Sequence, residues 1–173
     1  MRAEVFRAWI ASAASVIGEQ RDHLTQLDAA IGDADHGINL DRGFTAVVSA
    51  IESADPMTPG AVLTLTGTTL ISKVGGASGP LYGTAFRRAG RALGDAADVD
   101  LPGMAVALEA ALAGVQQLGA AREGDKTMVD ALAPATAAFS GTPALSRDRV
   151  EAQTEPIDVE PLEPRASDTW RMA

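Results

Sequence analysis

From residue 4 to residue 139 apolar residues recur at helical spacing, and only short breaks separate one run from the next. Val5, Trp9, Ile10, Ala13, Val16, Ile17 and Leu24 mark a long first helix over residues 4–27. Leu40, Phe44, Val47, Val48 and Ile51 mark a second, which Asp55-Pro56 ends because proline lacks an N–H and biases its predecessor away from helix. Thr58 supplies a capping hydroxyl ahead of Pro59, and a third helix follows over Val62 to Val74. Residues 80–97 form a fourth and Leu101 to Leu118 a fifth. Thr127 to Phe139 form a sixth, which Pro134 should kink or shorten. Long amphipathic helices with short connections pack as antiparallel neighbours, so the expected fold is all-α: an up-and-down bundle or closed helical barrel with about six helices here. Only 4% of the residues are aromatic while 46% are apolar, with Ala and Leu prevailing, which suits closely packed helices.

A chain of 173 residues is one domain with a sizeable core. Its formal net charge of −9 repels a phosphate backbone, so nucleic acid is not an expected partner. Without cysteine there is no disulfide, thiol nucleophile or zinc–thiolate site. The N-terminus lacks the apolar stretch of a signal peptide, and no unbroken apolar run reaches the ~18 residues of a membrane span. A cytoplasmic location is therefore expected. Beyond Gly141 proline and charge recur without apolar period, a composition that favours disorder, and divides the chain into a helical domain over 1–142 and a divergent tail over 143–173.

Counted along the bundle, the first-to-second, third-to-fourth and fifth-to-sixth connections fall at one end, and these three carry the unusual chemistry. The first places Asp28, Asp33 and Asp35 within eight residues, beside His36. Carboxylates so close repel one another unless a cation sits among them, and Mg²⁺ takes such oxygen ligands together with phosphate oxygens. Asp33 or Asp35 could equally cap the helix that begins near Gly37. His36 fits a phosphate contact, proton transfer or a plain helix start. The second connection, Gly75 to Gly79, runs straight into a helix, so its amides suit an anion and Ser78 adds a hydroxyl, though glycines also make ordinary tight turns. In the third, Asp125 or Thr127 caps a helix, Lys126 is long enough to reach phosphate and Met128 could pad a flat base. Each loop alone has an ordinary explanation; their meeting at one end is what a magnesium–nucleotide site requires.

Gly32-Asp33-Ala34-Asp35-His36-Gly37 with Asn39, then Gly75 to Thr84, then Gly124-Asp125-Lys126-Thr127-Met128-Val129-Asp130-Ala131-Leu132 resemble, in order, the motifs of the nucleotide-binding L subunit of the dihydroxyacetone kinase family. The resemblance covers residues 1–142 and implies an antiparallel barrel of eight helices. It implies that Asp28, Asp33 and Asp35 hold two Mg²⁺ ions and that His36, Gly37, Ile38 and Asn39 line an ADP or ATP. Ala77 and Ser78 would meet phosphate, and Gly119 and Met128 would flank the adenosine. In the phosphotransferase-linked form, ADP stays bound as a coenzyme. A phosphohistidine-bearing M subunit recharges it, and the phosphoryl group passes to dihydroxyacetone held on a K subunit. No catalytic nucleophile is expected in this chain, since phosphoryl transfer rests on positioning and charge neutralisation. The tail departs from the family, whose last two helices and nucleotide lid have no counterpart beyond a faint Arg165-Ala166-Ser167 echo. Two other readings therefore stand beside the first: the nucleotide domain of an ATP-dependent dihydroxyacetone or related kinase, and an inactive interaction protein without the lid. Self-association, as a homodimer, would be one way to cover the apolar faces the missing helices leave.

Overall fold

A computed structural model describes residues 1–30 and 32–141. The expected tail, 143–173, lies outside the described residues. The described residues form seven helices and no strands: α1 (Ala3–Glu19), α2 (Arg21–Ala29), α3 (His36–Ala54), α4 (Pro59–Lys73), α5 (Ser78–Leu93), α6 (Leu101–Gly119) and α7 (Val129–Gly141). Helices α3 to α7 pack in chain order, each on the next, while α1 lies across α3 and α4 and α2 leans on α3. The fold is thus the antiparallel up-and-down helical bundle that short connections between amphipathic helices dictate.

One boundary differs in kind from the sequence expectation. The first helix is two, broken at Gln20, where the backbone sits at φ −94° and ψ 5°. The reason is visible in the chain: Gly18 to His23 contains no apolar side chain, so no side chain of that stretch anchors in the core and the helix breaks there. Pro134 does not shorten the last helix, which runs through it to Gly141. It stands exposed, and its ring forfeits one backbone hydrogen bond.

Local chemistry sets the other ends. The Thr58 hydroxyl accepts from the Ala61 N–H at 3.2 Å with Pro59 in the first turn of α4. Asp100 does the same for α6, accepting from Gly103 N–H at 2.8 Å with Pro102 behind it. Asp55 closes α3 in the left-handed conformation at φ 46°, and its carboxylate and the Pro56 carbonyl both receive the Arg7 guanidinium from α1.

The core lies where α1, α3, α4 and α5 meet, with Phe6, Ile10, Val47, Val62, Leu63 and Leu70 fully buried. Trp9 stands edge-on to Phe6 at 6.2 Å and leads to Phe86, which in turn meets Phe44, so one aromatic chain joins α1, α5 and α3. Between α4 and α5 the contact is backbone against backbone: a Cβ on Gly67 would collide with the Gly83 carbonyl oxygen. Among the described residues α6 alone is long and apolar enough to cross a membrane, with a mean hydropathy of 1.2. It owes this value to alanine as well as leucine, and it lies between α5 and α7 in the bundle.

Candidate functional site

The α2–α3, α4–α5 and α6–α7 connections open onto one cavity of about 720 Å³, within the range of small-ligand sites. Its acidic wall is built outward from Asp28, the buried residue in the last turn of α2. Asp28 Oδ2 accepts from the backbone N–H of Asp35 at 3.0 Å and of His36 at 3.2 Å, so a carboxylate from the preceding helix caps α3. Asp35 occupies the N-cap position, yet its own side chain caps nothing. Capping therefore does not consume Asp33 or Asp35. Gly32 lies so near that a Cβ there would collide with Asp28 Oδ1, and Ala34 turns the chain back at φ 61°. One ligand atom from each of Asp28, Asp33 and Asp35 falls within 4.8 Å of the others. An all-carboxylate, oxygen-only donor set this compact fits a hard divalent cation and offers nothing to a soft one.

The second wall is the turn from Val74 into α5. Gly75, Gly76, Ala77 and Ser78 line the cavity, with Gly76 at φ 64°. The Ser78 hydroxyl donates to the Gly75 carbonyl at 3.2 Å, so its proton serves the turn. What remains for an anion is the set of backbone amides at the start of α5, backed by the helix dipole.

The third wall is the stretch before α7, and Asp130 organises it. Its carboxylate accepts from Gly124 N–H at 2.6 Å and Thr127 N–H at 2.9 Å, which lowers the Asp130 pKa from its ordinary value. Thr127 Oγ1 accepts from Val129 N–H in the first turn of α7, whereas Asp125 bonds the Arg122 N–H and stays within the loop. Lys126, at φ 56°, and Met128 both line the cavity, a cation and an apolar surface delivered by one turn.

Of the residues singled out from the sequence, Asp28, Asp33, Asp35, His36, Ala77, Ser78, Gly119 and Met128 line this cavity together. Gly37, Ile38 and Asn39 do not line it. Gly37 is buried against α2, where a Cβ would run into the Arg21 carbonyl oxygen; Ile38 is exposed; Asn39 is buried behind Gly75. The cavity also has an apolar floor that includes Leu81, Tyr82 and Val115. In the sequence these three share the period of core positions, and no local signal separates them from it. Burial pushes the Tyr82 phenol above its usual value.

The DAK2 domain family matches residues 30–157. The ADP-binding subunit DhaL of PEP-dependent dihydroxyacetone kinase 1 from Listeria innocua is 38% identical over 160 residues, 92% of this chain and 80% of that one. The PEP-dependent dihydroxyacetone kinase ADP-binding subunit DhaL of Escherichia coli K12 is 40% identical over 126 residues, 73% of this chain and 60% of its own length. Among solved structures, the dihydroxyacetone kinase from C. freundii in complex with AMP-PNP and Mg²⁺ is similar with a TM-score of 0.67 at 26% identity, over 82% of this chain and 26% of that one.

Proposed function

This chain belongs to the DAK2 domain family of dihydroxyacetone kinases, and on that premise we propose that it is the ADP-binding L subunit of a phosphotransferase-dependent dihydroxyacetone kinase of the cytoplasm. The observation that carries the reading is the cavity in which the Asp28, Asp33 and Asp35 carboxylates face the glycine turn at the start of α5.

The three carboxylates would hold Mg²⁺, two ions in this reading, which when bound neutralise the charge on the nucleotide phosphates. The α5 amides and Gly75-Gly76 receive phosphate oxygens, and Lys126 adds a charge at the same mouth. His36, its backbone N–H spent on Asp28, keeps its ring free for phosphate. Met128, Gly119, Leu81 and Val115 offer an apolar bed to the base. Nothing in this set is a nucleophile, and none is needed: the acceptor, dihydroxyacetone, belongs to a K subunit, and the phosphoryl group reaches the bound nucleotide from a phosphohistidine protein, the M subunit.

The experiment is a calorimetric titration of ADP into the chain with Mg²⁺ and again with EDTA, followed by the rate of ADP release. Saturable, magnesium-dependent binding with slow release supports the coenzyme role. Free exchange of ADP for ATP would instead place the chain with the nucleotide domain of an ATP-dependent dihydroxyacetone or related kinase. No binding by folded protein would leave an interaction protein.

A further inference from the structure

Arg42 lies on α3, exposed and outside the cavity, and its guanidinium makes two hydrogen bonds, one within α3 and one across to the end of α4. Nη2 donates to Asn39 Oδ1 at 2.7 Å in the first turns of α3, and Nε donates to the Lys73 carbonyl at 3.2 Å at the end of α4. Asn39 lies three residues after His36, on the helix that the acidic loop enters; Lys73 lies two residues before Gly75, where the glycine turn begins. One side chain thus spans the strip of backbone between the carboxylates and the anion-binding amides.

The chemistry of the two groups makes the link directional. A guanidinium has donors only, so it holds the Asn39 carbonyl oxygen toward itself and turns the amide NH₂ the other way. Asn39 is buried, and its Nδ2 lies 3.4 Å from where a Cβ on Gly75 would be. That NH₂ donates to none of the described residues. Lysine could not reproduce the arrangement, because a single ammonium lacks the planar fork that reaches two acceptors at once.

From this geometry we infer that Arg42 is a positioning residue that staples the metal-binding loop to the phosphate-binding turn through Asn39. The inference rests on the nucleotide reading above and adds a residue to it. Arg42 touches neither nucleotide nor metal; it sets the distance between the groups that do. Its loss therefore weakens the binding that uses both walls, metal and phosphate together, and spares the binding of the nucleotide to one wall.

The test is the ratio of ADP affinities measured with Mg²⁺ and with EDTA, for the wild-type chain, Arg42→Ala, Arg42→Lys, Asn39→Ala and the Arg42→Ala/Asn39→Ala double variant. Arg42→Ala is expected to lower that ratio about tenfold, the usual weight of a charge-assisted hydrogen bond, with Arg42→Lys in between. The double variant should lose no more than the worse single variant, because both act on one link. Equal losses with and without Mg²⁺ would mark Arg42 as structural only and overturn the inference, as would losses that multiply in the double variant. If Arg42→Ala does not fold, Arg42→Lys and Asn39→Ala carry the same comparison. A wild-type chain with no magnesium dependence would sink the nucleotide reading itself, which is a distinct result.

Discussion

Asp28 does two jobs that pull on one carboxylate. Oδ2 is occupied by the N–H groups of Asp35 and His36, while the same carboxylate offers a ligand atom within 4.8 Å of ones from Asp33 and Asp35. Asp28→Ala leaves two amide donors at the head of α3 without a partner, a loss of about 1–3 kcal/mol. Thermal melting should register it even without nucleotide, whereas Asp33→Ala, on an exposed residue, should leave the melting point unchanged and abolish the Mg²⁺ dependence of ADP binding. Asp130 gives a pH prediction. Its folded-state pKa is depressed by the Gly124 and Thr127 N–H groups, so its contribution to loop stability is full above the ordinary value of 3.8 and is lost as pH falls through the lower folded value. Carboxyl NMR titration should find Asp130 still ionised where free aspartate is half protonated. Tyr82 has the opposite sign. Its pKa is raised by burial, so the phenol is less ionised at pH 10 than a free tyrosine, and the stability it lends is present below that point and lost as pH rises through the folded value. It is the single tyrosine, so absorbance at alkaline pH reads it directly.

Helix α4 shows how much an element's ends and faces were open to reading. Thr58 as cap and Pro59 in the first turn are local signals, written in adjacent residues, and both are where the sequence put them. The face that α4 turns to α5 is a different matter. Its closeness depends on glycines fifteen or more residues apart, Gly67 against Gly83, and a carbonyl oxygen occupies the space a methyl would need. Gly67→Ala is expected to force the helices apart at a cost of about 1–3 kcal/mol, the range for overpacking, and a denaturant midpoint would measure it. Thr58→Ala should cost about 1 kcal/mol by losing one cap bond. The two substitutions lie far enough apart in the chain for the losses to be compared separately by the same measurement. The break at Gln20 belongs at this scale too. A helical pattern cannot distinguish one long helix from two collinear halves, because both satisfy the same period; only the lack of apolar anchors between Ile17 and Leu24 hints at it.

At the scale of the whole molecule, a net charge of −9 and three carboxylates at one end make the chain sensitive to cations in two separable ways. Any salt should raise the melting point slightly by screening self-repulsion. Mg²⁺ with ADP should raise it far beyond an equal ionic strength of NaCl, by about 2.7 kcal/mol of stabilisation at a hundred times the dissociation constant. A scan in which NaCl matches Mg²⁺ and ADP would argue against a built site. The order of the helices, the Thr58 cap of α4, the placement of three loops at one end and the run of carboxylates could be read from the sequence alone, because each shows in the spacing of residues along the chain. The cavity's floor of Leu81, Tyr82 and Val115, the capping of α3 by Asp28 and the Arg42 bridge from Asn39 to Lys73 were decided only by the tertiary structure. The floor and the Arg42 bond to Lys73 join residues more than thirty positions apart, and the Asp28 cap depends on how the α2–α3 loop folds back; which such groups meet is fixed by how helices pack, which no local spacing encodes.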